Sequence, residues 1–547
     1  MTAGVSSERS DGVSMTQHRM RTTFSWLWPS GWLVLLLSLS ACSEWFPRAD
    51  LAPTYEPPQY VVPASWHGSS PFVEATPSDD ELRPDWWKLY GDPVLDQLVE
   101  QAVEANPDLQ AAAERFVQAR DMMMKARAQY LPQVGVGFGG SHNRQSDERL
   151  FRPRAPEVHT QEATMELRGL ASWEPDFWSA LRNATRVETY TAQERAADWG
   201  LARLSLQAEV AADYFILRGF DAQTATYSQS IELYKQSLAL VKAQFVGKLA
   251  SALDVARVES LLYSTETKLA QIQGQRQLTE QAIAILVNRA PGSFTIDPVP
   301  DLRVGSFTVP RVIPATLLER RPDIAASERR MAQANRTIGI ARAAFFPNVS
   351  FRAGGGFEDG FDLLKLANSF WAYGSEVSLP IFQGGYRRAQ LQQAWSAYRE
   401  TEDLYRSTVL NAFREVENNL TLTNRLTLAA NRQDAAVEAT FKTQNLTTDL
   451  YRGGLASSLE LIFAQVNTLE ARIDSIVIKA DLLKASVELI RALGGGWTRK
   501  QLPSDDQIQP FGTFQYVNLE KPAPAGGIDV PAADNHVYND LTKIRRP

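Results

Sequence analysis

A chain of 547 residues with a single cysteine, Cys42, cannot close an internal disulfide. Proline is missing from two long tracts, between Pro175 and Pro291 and between Pro380 and Pro503. Because proline breaks helix interiors, its absence over such lengths permits very long helices. Histidine is scarce, and His18, His67, His142, His159 and His536 show no metal-ligand spacing. There is no glycine loop followed by Lys-Ser/Thr and no serine nucleophile elbow, and the acidic residues are scattered. The chain therefore reads as a non-enzyme with no cofactor and no metal. With a formal net charge of −7 and no polybasic stretch, it gives no support for nucleic-acid binding.

The position of the one cysteine is informative. A positively charged start and an apolar run from Trp32 to Leu39 form a secretory signal too short for a transmembrane helix. Leu39-Ser40-Ala41-Cys42 then resembles a bacterial lipobox, in which the cysteine becomes the acylated first residue. Residues 1–41 are thus expected to be a signal peptide, with Met15 or Met20 as alternative starts, and acyl chains on Cys42 would hold the N-terminus on a membrane leaflet. Residues 42–80, rich in Pro and Ser, should form an extended, lipid-anchored tether.

The remainder repeats itself. NPDLQAAAERFVQARDMMMKARAQYLPQVGVGFGG, from Asn106, aligns without a gap to RPDIAASERRMAQANRTIGIARAAFFPNVSFRAGG, from Arg321. GKLASALD at Gly247 matches GGLASSLE at Gly453. A spacing of roughly two hundred residues is far beyond solenoid units of about 20–50. The chain reads as a duplicated half-molecule, 81–300 and 301–497, followed by an extended tail, 498–547, expected to be poorly ordered.

Each proline-free tract carries a glycine break, at Gly247 and at Gly453-Gly454, so each should be a long helix, a tight turn and a shorter returning helix. The first long arm, Asp176 to roughly Phe245, would span about 105 Å. Leu201, Leu204, Ala208, Ala211 and Phe215 trace a heptad-like packing seam along it. Four strands are expected, at about 133–145, 163–175, 348–357 and 371–382, each alternating apolar with polar or glycine residues. Their length suits the roughly 9–11 residues that cross a bilayer, with Trp173, Trp371 and Tyr373 as interfacial anchors. A half-buried soluble sheet gives the same alternation. Four strands cannot close a barrel, and a bilayer tolerates no open edge, so a membrane reading demands two or three copies, with eight or twelve strands.

DWWKLYGDPVLDQLVEQAVEANPDLQAAAERFVQAR, IPATLLERRPDIAASERRMAQA, LPIFQGG and RALGGGW resemble signature segments of the outer-membrane efflux proteins of the TolC superfamily. More narrowly they resemble its NodT-type lipoprotein branch, the outer-membrane factors of resistance–nodulation–division (RND) systems, from Cys42 to about Trp497. The resemblance implies a mainly α fold with transmembrane β: a homotrimer whose long coiled helices form a periplasmic α-barrel beneath a twelve-stranded β-barrel. It implies a passive exit duct served by a periplasmic adaptor and an inner-membrane RND-type transporter. Asp254 and Glu460 match acidic residues of a periplasmic gate, and Tyr451 matches a bracing aromatic. The chain departs from that pattern at Phe463, where a second acid is expected, and at Ala456, where some members carry a basic partner, so an apolar, dewetting constriction is possible. For Asp254 and Glu460, plain helix capping is the competing reading. Gly247, Lys248, Leu249 and Ala250, with Gly453, Gly454, Leu455 and Ala456, match the tips that adaptor hairpins contact, Leu249 and Leu455 being the docking candidates. The glycines are expected to supply the left-handed backbone of the turns. Two rivals stand beside this reading: the outer-membrane duct of a type I protein secretion system, and a structural envelope lipoprotein without a pore.

Overall fold

The computed structural model describes residues 49–56, 84–144, 146, 161–302, 314–359 and 363–508. The signal peptide, Cys42, most of 42–80, most of the loop from Ser146 to Gln161 and the tail beyond 508 lie outside the described residues. The first repeat runs α1 (Pro93–Ala105), α2 (Pro107–Ala128), β1 (Gln133–Arg144), β2 (Gln161–Trp173), α3 (Ala180–Val246) and α4 (Ala252–Leu286). The second runs α5 (Pro314–Arg320), α6 (Pro322–Ala343), β3 (Asn348–Asp359), β4 (Ser369–Ser378), α7 (Tyr386–Arg452) and α8 (Ser458–Ala492). Three helix pairs keep the same length in both repeats: α2 and α6 have 22 residues, α3 and α7 have 67, α4 and α8 have 35. A helix of 67 residues is about 100 Å long.

Local chemistry sets the boundaries. Asp92 and Asn106 cap α1 and α2 by accepting from the amides of Val94 and Leu109, with proline at the first helical position of each. Asp176 is not the first residue of α3, as the sequence suggested. Its carboxylate accepts from the Leu181 and Arg182 amides, and Ser179, at φ 59°, breaks the helix before Ala180. At the other strand end, β4 stops at Ser378 instead of continuing to 382, since Pro380 has no N–H to give a ladder.

The strands form one antiparallel sheet in the order β1-β2-β3-β4, so β1 and β4 are both edges. Register places Val134, Val136 and Phe138 beside Leu167, Met165 and Ala171 of β2, in line with Phe351, Phe357, Trp371, Tyr373 and Val377 on one face. The opposite face holds Glu166, Arg168, Ser172, Arg352 and Glu376 with six glycines: Gly135, Gly137, Gly139, Gly354, Gly356 and Gly374. The apolar face is open, Trp371 being 76% exposed. Trp173 stacks on Phe351 at the helix end of the sheet, and Trp371 on Tyr373 towards its loop end. Among the described residues no helix is long and apolar enough to cross a membrane.

The main core lies where α1, α2 and α6 pack on the upper half of α3 and the end of α8. Trp86, Phe116, Tyr214, Phe215, Ile324, Leu483 and Ile490 are buried there. The RALGGGW stretch forms the knot of this region: Gly494, Gly495 and Gly496 all have positive φ, and a Cβ on Gly494 would stand 2.2 Å from the Arg320 carbonyl oxygen. Asp221, with a fully buried side chain, binds Arg218 at 2.9 Å and Arg276 at 2.6 Å and accepts from the Val299 amide at 3.1 Å. That cluster pins the connection between the repeats onto α3 and α4. Residues 498–508 belong to the packed body rather than to a loose tail, because Ile508 is buried and the Pro503 carbonyl accepts from Gln193.

Candidate functional site at the helical tips

The two turns expected to be functional lie at the far ends of α3 and α7. They end those helices in the same way. The Lys248 and Leu249 amides donate to the Phe245 and Gln244 carbonyls at 3.0 and 2.8 Å, and the Gly454 and Leu455 amides to Tyr451 and Leu450 at 3.1 and 2.8 Å. This double bond pattern satisfies carbonyls that the helix leaves unpaired. The left-handed residue is the one after the cap, so it is Gly454 (φ 69°) in the second tip but Lys248 (φ 63°) in the first. Gly247 and Gly453 have φ of −74° and −79°, a region open to any residue. The expectation that both turns rely on glycine thus holds only for Gly454, and Lys248 stands in a conformation that costs a side chain about 1–2 kcal/mol.

Each returning helix begins with a capping box. Ser251 Oγ accepts from the Asp254 amide at 3.2 Å while Asp254 Oδ2 accepts from the Ser251 amide at 3.0 Å. Ser457 and Glu460 repeat the arrangement at 3.3 and 2.7 Å. Capping is therefore a real duty of both acids. Asp254 has a second one, because its other oxygen, Oδ1, accepts from the Ser458 hydroxyl of the neighbouring hairpin. Hydrogen bonds from Ser251 and Ser458 pull the Asp254 carboxyl down to about 2, and those from Ser457 lower Glu460. Both stay ionised at any physiological pH.

Tyr451 is buried among Val241, Val258 and Leu461, and its hydroxyl donates to Gln244 Oε1 at 2.7 Å, which ties α7 to α3. Burial, and then the charge of Asp254, push its phenol up. Leu249 and Leu455 are 84% and 80% exposed, and Phe463 is 57% exposed. Ala250 and Ala456, by contrast, turn inward against the same apolar cluster as Tyr451. The structure thus brings Asp254, Tyr451 and the two turns together at one end, with Glu460 and Phe463 on the first turns of α8. Sequence reading missed Ser251, Ser457, Ser458 and Gln244. The first two were legible, since Ser-x-x-Asp and Ser-x-x-Glu at a helix start are capping-box signals, whereas the cross-hairpin partners Ser458 and Gln244 have no local signature.

With this geometry in hand, the likenesses to known proteins are clear. The family model described as outer membrane efflux protein matches residues 98–289 and 313–495, one match per repeat. The pyoverdine export outer membrane protein OpmQ of Pseudomonas putida is 30% identical over 478 residues, covering 85% of this chain and 97% of that one. Nodulation protein T of Rhizobium leguminosarum bv. trifolii is 27% identical over 419 residues, covering 76% and 87%. The crystal structure of the Campylobacter jejuni CmeC outer membrane channel shares the fold at a TM-score of 0.74 and 23% identity, covering 82% of this chain and 96% of that one. The chain belongs to the outer membrane efflux protein family: it is an outer-membrane efflux channel with the fold of the TolC-like trimeric channels.

Proposed function

We propose that three copies of this chain form a passive exit duct that is anchored by acylated Cys42, docked at its tips by a periplasmic adaptor and supplied by an inner-membrane RND-type transporter. The observation that supports it most directly is the open four-stranded sheet, with an apolar exposed face and two free edges, joined to helices about 100 Å long. Edge strands in a bilayer must be paired, and three sheets of four strands pair every edge. Leu249 and Leu455 are the exposed apolar contacts offered to the adaptor. Asp254 and Glu460 supply charge to a periplasmic gate braced by Tyr451, with Phe463 as its apolar element. Like charges gathered on an axis repel one another unless water, a cation or a basic group offsets them, which makes such a gate easy to open.

Cargo is left to the transporter. OpmQ is named for pyoverdine and nodulation protein T for nodulation, so similarity of the duct does not carry one substrate with it. The N-terminal entry to the body is firmly held: Asp50 binds Arg186 at 2.8 Å, Arg336 at 3.1 Å and Asn183 at 3.0 Å, near the sheet end of α3 and α6. A tether fixed there suits a lipid anchor in the same membrane as the barrel.

The test is intracellular accumulation of a panel of dyes, antibiotics and metal ions in a strain lacking the gene, restored with the native protein or with Cys42→Ala. Accumulation that rises on deletion and is fully reversed only by the native protein supports the anchored efflux duct. If accumulation is unchanged but a secreted protein disappears from the medium, the duct serves type I secretion instead.

A further inference from the structure

The two hairpins of one chain, α3/α4 and α7/α8, meet along a seam below the main core, and that seam is cross-linked by evenly spaced polar pairs. Arg472 donates to Gln229 at 3.1 Å, Gln465 to Ser237 at 3.2 Å, Tyr451 to Gln244 at 2.7 Å, and Ser458 to Asp254. On α3 these partners recur at Gln229, Ser237 and Gln244, close to the heptad spacing that keeps residues on one face. Between the first two lies Tyr234, 1% exposed, with its hydroxyl buried and bonded to no group among the described residues. A slot of about 60 Å³ opens beside it, walled by Gln229 and Ser230 of α3, Gln444 of α7, and Gln465 and Arg472 of α8. Thr468, also in the wall, already spends its hydroxyl on the Ala464 and Thr440 carbonyls.

A buried hydroxyl without a partner is costly, whereas a polar slot of this size has room for about two waters. Tyr234, which carries the unpaired donor, lines this slot, and polar side chains make up most of a wall that Leu233, Phe441 and Leu469 complete. We propose that the slot is an internal hydration site, in which water bridges Tyr234 to its polar walls and wets the seam so that the second hairpin can part from the first up to this level. Each rung below exchanges one neutral or singly charged bond for bonds to water, which a wetted seam supplies from within, and the small apolar cluster of Val241, Val258, Tyr451 and Leu461 opens with them. Above the slot the helices are joined by the buried core. This rests on the duct reading and names where its helices separate.

The experiment uses the full-length trimer. Cryo-electron microscopy at water-resolving resolution should show density within hydrogen-bonding distance of Tyr234 Oη, lost in Tyr234→Phe with the helices unmoved; an empty slot, or a hydroxyl bonded to protein, overturns the site. In planar bilayers with potassium chloride, Ser230→Val, which fills the slot with apolar atoms, should lower the frequency of spontaneous openings about 2- to 10-fold. An unchanged frequency in an intact Ser230→Val trimer overturns the role in opening. If the native trimer itself conducts nothing, it is the duct reading that fails.

Discussion

The long helices are held by a large apolar core at one end and by a small one with polar bonds at the other. Around the equator α3 is fixed to α8 by buried apolar residues and three left-handed glycines, and to α4 by the buried charge cluster at Asp221. At the tips a small apolar cluster of Val241, Val258, Tyr451 and Leu461 is supplemented by serine, glutamine and tyrosine hydrogen bonds beside exposed leucines, and each of those bonds has a water-bonded equivalent. Stiffness along a long helix is therefore set by what lies between it and its neighbours, not by the helix itself. The proposed gate at the tips fits this asymmetry, a firmly held collar and a more loosely held end.

The sharpest way to break the comparison is to remove the central acid of the collar. Asp221→Ala leaves Arg218 and Arg276 buried without their shared carboxylate and should cost about 3–5 kcal/mol. Thermal unfolding of the purified protein measures it. Arg257→Ala at the tip removes a 3.8 Å partner of Asp254 that is half-exposed, and should change stability by no more than about 0.5 kcal/mol. Equal effects would mean that the two ends are not held differently.

The two tips, being copies, sharpen the comparison further. Gly454→Ala forces a side chain into the left-handed region and should cost about 1 kcal/mol, while Lys248→Gly at the equivalent position relieves the same strain and should gain a similar amount. Gly247→Ala, at φ −74° with no neighbour closer than 3.5 Å, should be nearly neutral. Denaturant titration of the three variants reads the order directly. A large loss in Gly247→Ala would return the left-handed role to the first glycine.

This ordering shows how much could be read beforehand. The duplication, the long proline-free helices and the period-two strands were legible because each is a repeated local signal, and the lengths of the long helices agree between repeats. One departure among the caps is instructive. Asn106 caps α2, but its counterpart Arg321 cannot, and instead reaches Glu415 at 2.8 Å and the Ala492 carbonyl at 3.0 Å. The role of GGGW was also hidden, since it depends on Arg320 and Leu204 arriving from distant parts of the chain. Similarly, Asp254 was singled out by the family resemblance, yet its bond to Ser458 crosses 204 residues and leaves no pattern.

That crossing bond gives a smaller, functional prediction. Ser458→Ala removes the cross-hairpin donor while leaving the Ser251 capping box intact, so stability should hardly move but openings in planar bilayers should become about 2- to 10-fold more frequent. Ser251→Ala is the contrast, expected to weaken α4 by about 1 kcal/mol as a lost cap does. If both variants only destabilise, Asp254 is a capping residue and no more.

The smallest effect is that of acid. Asp254 titrates at about 2 in the folded tip, below the ordinary value near 3.9, because Ser251 and Ser458 donate to its ionised form. A lowered folded value means that the stabilisation is complete above about pH 4 and fades as the pH falls through about 2. The tips should therefore keep their closing bonds throughout the mildly acidic range, and channel openings recorded between pH 7 and pH 5 should not change in frequency on this account. Asp254→Asn removes the titrating group, so any rise in openings that the native protein shows below about pH 4 should be absent from the variant. Because the site is open to water, the difference belongs to the tip alone, and the unfolding of the equatorial collar should follow the same curve in both proteins.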